Sequence, residues 1–360
     1  IWDSQLEKEY PASAQYQTGG STYATNGIYQ LSSLMGVTSI SHSITLPQGW
    51  NLISSFVAPK DTTLDSMFVK VNPRLVLVKN NAGLVYWPSF AINTIGKWNR
   101  SQGYQVYMQS ADTMSVTGDE IDPQLTPIVM PQGWNMVSYL RNSHMRADSA
   151  VTTIAGNIVL VKNNYGQVYW PAFGINQIGN MKPGQGYQLY LASSGTLIYP
   201  ANVSPAPPTT LTKRGIVVAS QQEMIPQHFI VRTGLTGNSA TIVIQGSGVS
   251  DGDEVGVTVG GGMLVGSGVV SQGRAVVAVW GDDLLTEGTK EGAVEGETLK
   301  LKLWQNRTQM EKGLEIETLA DGLTRKNLEG ALKYKTDGVW VVGVKETQVI
   351  PTVFSLEQNY

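Results

Sequence analysis

The sequence predicts an all-β protein: two tandem small β-rich modules, each with one short helix, followed by a β-sandwich of Ig-like or jelly-roll-like type. Three observations carry this. First, the chain repeats itself: "LPQGWNLISSF" from Leu46 returns as "MPQGWNMVSYL" from Met130, and "VKNNAGLVYWPSF" from Val78 returns as "VKNNYGQVYWPAF" from Val161. Between Val78 and Met108, nineteen of thirty-one positions match those 83 residues later. Second, apolar residues recur at period two and in short β-branched runs, the pattern of strands. Third, 39 glycines and a charged fraction of only 15 % suit many tight turns between short strands.

The elements follow in order. Residues 1–44 are polar and rich in Tyr, Ser and Thr, with two weak strand signals, GIYQLSSL and ITL. They are expected as an extended segment able to donate a strand to a neighbour's open edge. Copy one spans 45–122 and copy two 123–204. In copy one, GWNLISSF alternates Trp50, Leu52 and Ser54 against Asn51, Ile53 and Ser55. LVLVKN runs into an Asn-Asn-x-Gly turn, and LVYWP returns as the second arm of a hairpin. Pro88 and Pro171 end that arm, which predicts an edge strand. Tyr104, Val106 and Met108 share one face of GYQVYMQS. A short helix is expected at Thr63–Phe68, capped by Asp61 or Thr62, with Leu64, Met67 and Phe68 inward. Asp148 would cap its counterpart, with Val151 and Ile154 inward. A Pro-rich linker, NVSPAPPTT, opens 205–345, where ten alternating runs predict the sandwich. They are GIVVAS, HFIVRT, ATIVIQG, EVGVTVG, MLVGSGVV, AVVAVWG, TLKLKLWQ, LEIETL, ALKYKT and VWVVGVK. Residues 346–360 read as an extended tail.

The GWN–VKN–VYWP–INQIG–GYQ module resembles paired modules near the C-terminus of large cargo proteins of the type IX secretion system of Bacteroidota-like bacteria. "DGDEVGVTVGGGMLVGSGVV" with "EGETLKLKLW" is similar to the β-sandwich that follows them, and "FSLEQNY" to the stretch just before the sorting domain. The resemblance covers residues 45–360 and leaves 1–44 unplaced. It implies export, loss of a sorting domain and display at or beyond the cell surface, and it implies no particular activity. Asp61-Thr62-Thr63, Asp65-Ser66-Met67, Asp112-Thr113-Met114 and Asp148-Ser149-Ala150 resemble O-glycosylation sites of the same bacterial group. Thr62, Ser66, Thr113 and Ser149 are therefore the candidate acceptors, against the plainer reading of helix caps and turns.

Reactive chemistry is scarce. The absence of cysteine removes disulfides, thiolate metal sites and a cysteine nucleophile. His42, His144 and His228 are the only histidines, none in metal-ligand spacing, and they read as surface or loop residues. GVTVGGGMLVGSG lacks the Lys-Ser/Thr of a phosphate loop and reads as hairpin turns. Asp251, Asp253 and Glu254 in SDGDEVG place hard oxygen ligands together, as does Asp282 beside Asp283. The first three are the candidate Ca²⁺ ligands, weighed against an Asp-stabilised turn. Tyr86, Trp87, Tyr169 and Trp170 occupy matched positions, as do Tyr104 with Tyr187 and Tyr107 with Tyr190. Strand neighbours point to opposite faces, so either Tyr or Trp faces out in each copy, for packing between modules or for contact with a sugar ring.

A net charge of −3 argues against nucleic acid as a partner. No apolar run is long enough for a membrane helix. Ile1 and the lack of a leader suggest a processed product or fragment. The repeat keeps Gly, Asn, Tyr, Trp and Pro, while Lys97 becomes Asn180 and Arg100 becomes Pro183. What is repeated is architecture, and the expected function is that of a non-catalytic extracellular structural protein. It would serve as a surface stalk or as a filament subunit assembled head to tail, with no cofactor beyond that Ca²⁺. The alternative is a carbohydrate-binding accessory region of a larger secreted enzyme.

Overall fold

The computed structural model describes residues 39–202, 225–232, 236–283, 285–286 and 288–347, together with four short strands near the N-terminus. These are β1 and β2 (Trp2–Asp3, Lys8–Glu9) and β3 and β4 (Gln15–Thr18, Ser21–Ala24), paired antiparallel in twos. Most of residues 1–38, the Pro-rich linker and the tail, with the strand-donation, GIYQLSSL and GIVVAS expectations, lie outside the described residues.

Module 1 contains β5 (Ile40–Leu46), β6 (Gly49–Ile53), β7 (Val57–Pro59), β8 (Leu75–Lys79), β9 (Val85–Trp87), β10 (Ile92–Asn93), β11 (Tyr104–Met108) and β12 (Asp112–Glu120). They form a five-stranded sheet in the order β10-β9-β8-β11-β6 and a three-stranded sheet β5-β12-β7. Helix α1 (Leu64–Phe68) buries Leu64, Met67 and Phe68 as expected, but its N-cap is Thr63, without a side-chain cap bond, rather than Asp61 or Thr62; Asp61 instead accepts the Thr63 N–H at 2.9 Å. Module 1 begins before the expected boundary, because Ile40 already pairs with Gly118.

Module 2 repeats the plan with β13 (Ile128–Met130), β14 (Gly133–Ser138), β15 (Met145–Arg146), β16 (Ile158–Lys162), β17 (Val168–Trp170), β18 (Ile175–Asn176), β19 (Asn180–Met181), β20 (Gly186–Leu191) and β21 (Gly195–Leu197). Its main sheet runs β14-β20-β16-β17-β18. Asp148 does not cap α2 (Ala147–Ala150) but lies inside its first turn, paired with Arg146 at 2.8 Å; Val151 and Ile154 are buried as expected. The prolines do not mark the edge either. Pro88 and Pro171 each start a single 3₁₀ turn, and the chain then adds a two-residue edge strand, β10 or β18, outside the hairpin. Ala91 closes the first turn at φ 53° where Gly174 closes the second at φ 63°.

The C-terminal domain holds β22 (Ser239–Gly246), β23 (Glu254–Thr258), β24 (Leu264–Val269), β25 (Arg274–Trp280), β26 (Lys300–Gln305), β27 (Met310–Asp321) and β28 (Val339–Glu346). The protein is all-β as predicted, but here the sheet closes into a seven-stranded barrel through a parallel β22–β28 pair. Closure removes the edges that two open sheets would have left. The described residues of HFIVRT, 228–232, and ALKYKT are not strands. The first is part of a strap, 225–232, lying over β23, where Phe229 occupies the space beside Gly256. Inward residues of every barrel strand, among them Ile242, Val257, Val277, Leu303 and Val342, fill one core.

Candidate functional site

Most polar residues of the repeated motif hold backbone. Asn51 donates to Pro47 O and Gly49 O at 2.9 Å each, and Asn135 does the same to Pro131 O and Gly133 O at 2.9 Å. Asn80 Oδ1 accepts from Ala82 and Leu84, and Asn163 Oδ1 from Tyr165 and Gln167, all at 3.0 Å. Buried Tyr104 and Tyr187 accept the backbone N–H of Asn99 and Lys182. Burial pushes both phenol pKa values up.

The two modules meet through reciprocal contacts. Ser54 N–H donates to Gly184 O at 2.9 Å, and Ser138 N–H donates to Ser101 O at 3.2 Å. Ser54 and Ser138 are equivalent in the repeat, as are Ser101 and Gly184. The bridges Ile53–Gln185 and Gln102–Val137 repeat the exchange. When i meets j while their equivalents meet in reverse, the faces are related as in an isologous dimer. The repeat is therefore an internal pseudo-dimer. Gly103 and Gly186 make it possible: a Cβ on Gly103 would stand 2.8 Å from Val137 O, and one on Gly186 2.8 Å from Ile53 O. The seam also explains why alternation along GWNLIS does not separate buried from exposed. Trp50 through Ser55 are all buried, one face on the module core and the other under a neighbour.

His42 lies at this seam, its Nδ1 3.3 Å from Ser55 Oγ and its ring 4.2 Å from that of Phe56. It is buried, contrary to the surface position expected, and desolvation lowers its pKa to about 4. His144 is exposed.

The barrel straddles both modules. Lys79 Nζ lies 4.5 Å from the Trp50 ring and Lys162 Nζ 4.8 Å from the Trp134 ring, equivalent cation–π pairs. Each pair meets one barrel carboxylate. Trp50 Nε1 donates to Asp283 Oδ2 at 2.8 Å; Lys162 Nζ donates to Asp337 Oδ1 at 2.8 Å and to Ser239 O at 3.1 Å. Burial pushes the Lys79 pKa down, with Asp283 opposing. Gln105 Nε2 reaches Gly237 O at 2.7 Å and Arg274 reaches Phe173 O at 2.7 Å. Sequence reading passed over Lys79 and Lys162 as contact residues, although both stand in the VKNN repeat.

Of the four matched aromatics, Tyr86 turns into the core and donates to Asp65 at 2.7 Å, while Trp87 takes the opposite face. In module 2, Tyr169 is half-buried beside its own core and Trp170 is fully enclosed. Trp170 packs with Leu160, Val168 and Ile175 against Val243 and Val339 of the barrel. Trp170 thus packs against the barrel rather than against the other module. The same face of module 1 ends in the open: Phe90 is 63 % exposed, Ile92 40 %, and Trp87 is only half-buried. Trp87 and Phe90 meet edge to face at 4.7 Å, as Trp170 and Phe173 do.

The carboxylates expected to bind Ca²⁺ do not converge. Asp251 accepts from Gly273, Asp253 from Ser250 and Asn306, and Glu254 from Gln227, His228 and Phe229. Three backbone N–H groups on Glu254 clamp the strap to β23. No group of three His, Asp or Glu suited to a metal ion occurs among the described residues. Beside the clamp, His228 stacks on Trp304 at 3.7 Å and contacts Glu311 at 3.3 Å, on the wall of an open cleft. Ser66, Thr113 and Ser149 are exposed; Thr62 is half-buried and its carbonyl accepts the Trp98 N–H at 2.7 Å. Among the described residues, no helix is long and apolar enough to cross a membrane.

Compared with known proteins, the chain matches no family model, no curated protein and no solved structure.

Proposed function

We propose that this chain is a non-catalytic structural protein of the cell exterior, a stalk or a subunit that associates with copies of itself. One observation carries the reading. The repeated Asn, Tyr and Gly residues are used in turns and joints with equivalent backbone partners in both modules, and the Lys–Trp pair recurs in each. A chain held at two seams by side chains from three domains transmits force better than a string of beads on linkers. Electron microscopy and sedimentation of the natively secreted protein test it: rods or assemblies are expected, and solitary particles under every native condition would refute it.

A second reading, contact with polysaccharide, is favoured by the exposed Trp87–Phe90 pair, since an aromatic face can stack on a sugar ring. Co-sedimentation with insoluble polysaccharides, repeated with Trp87→Ala, tests that reading.

A further inference from the structure

We propose that the open end of the module 1 face is a self-docking surface, which receives the same face of a second copy of this chain about a two-fold axis. The inference rests on the self-association reading above and names the surface that would perform it. Three observations lead to it. First, the fold buries this face when it has the chance. In module 2 the equivalents of Leu77, Val85, Trp87 and Ile92 are Leu160, Val168, Trp170 and Ile175, and barrel valines cover them. Second, the open patch continues an existing interface. Its inner end, at Trp50, is already closed by Gly237 and Asp283, so the barrel edge occupies the ground a second barrel would need. What remains is the outer half, Trp87, Phe90 and Ile92, on and beside the edge strand β10. Third, residues 80–96 contain no Asp, Glu, Lys or Arg. An uncharged apolar patch meets itself without like-charge repulsion, and β10 against its mate would extend the sheet antiparallel. This contact closes at two copies; a filament would add a second, different joint.

The absence of cysteine makes the test direct. Sedimentation equilibrium of the whole chain should show a reversible dimer, and Phe90→Glu should weaken it at least 100-fold, while the thermal midpoint measured on dilute, monomeric samples stays unchanged, because Phe90 is mostly exposed. Ser89→Cys should cross-link rapidly as a disulfide dimer under mild oxidant, whereas Val129→Cys, on an exposed site of module 2, should not. If the chain self-associates but Phe90→Glu leaves the constant unchanged, or Ser89→Cys links no faster than Val129→Cys, this surface is wrong while the self-association reading survives. If the wild-type chain stays monomeric throughout, both fall. Monomers that bind polysaccharide through Trp87 would assign the patch to sugar and overturn the proposal.

Discussion

The two modules share a fold and most of a motif, yet they differ in what covers one face. In module 2, Trp170 is fully enclosed and Ile175 is 9 % exposed, because β22 and β28 of the barrel lie on them. In module 1 the matching residues reach water. The difference teaches that the repeat encodes a sticky face rather than a buried one, and that position relative to the barrel decides its fate. The same aromatic residue is thus core in one copy and surface in the other.

The sharpest way to break this comparison is to delete the tryptophan in each copy. Trp170→Ala should cost about 3–5 kcal/mol, the range for a large aromatic truncated in a packed interior. Trp87→Ala should cost about 1 kcal/mol, since much of its surface is already hydrated. Denaturant midpoints followed by circular dichroism measure both. Equal losses would mean that the barrel does not rest on module 2 as described.

A smaller contrast lies at the two Lys–Trp stations. Asp337→Asn leaves Lys162, with 1 % of its side chain exposed, without its counter-charge. Its bond to Ser239 O remains, so the expected loss is about 2–3 kcal/mol. Asp283→Asn still offers an oxygen to Trp50 Nε1 and faces a less buried Lys79, so the loss should stay under about 1 kcal/mol. The same unfolding assay decides, and a larger loss at Asp283 would reverse the assignment.

These stations also mark where sequence reading stopped. The strands, the hairpin at VKNN and the helix face of Leu64, Met67 and Phe68 were legible because period and turn chemistry are local signals. The module faces were legible only halfway: strand alternation required Tyr86 and Trp87 to part, but not which of them entered the core. Barrel closure through β22–β28 and the pairing of Ser54 with Gly184 were not legible, since contacts far apart in sequence leave no periodic trace. HFIVRT misled for a related reason. Its alternation fits a strand, but Glu254 takes up three successive N–H groups that a ladder would need.

The seam between modules offers a symmetric test. Gly103→Ala and Gly186→Ala each push a methyl to 2.8 Å from a backbone carbonyl that cannot swing aside. Overpacking of this sort costs about 2 kcal/mol. If the seam is two-fold, the two losses should agree within about 0.5 kcal/mol, and the double variant should fall short of their sum because the sites share one interface. A free substitution at either glycine would sink the pseudo-dimer.

A last contrast separates the copies by pH. His42 sits at the seam, whereas its equivalent is Thr126, which does not titrate. Burial holds the folded pKa of His42 near 4, below the ordinary histidine value of 6.5, so the fold favours the neutral ring. Its contribution is present above pH 6.5 and is lost as pH falls toward 4, because only the unfolded chain then takes up the proton. Between pH 7 and pH 5 the loss should be about 1–2 kcal/mol. His42→Phe should flatten that part of the stability curve while carboxylates, which titrate lower, still shape it below pH 4.5 or so. A wild-type curve already flat from pH 7 to 5 would mean that water reaches the His42 ring and that the seam between the modules opens more readily than its hydrogen bonds imply.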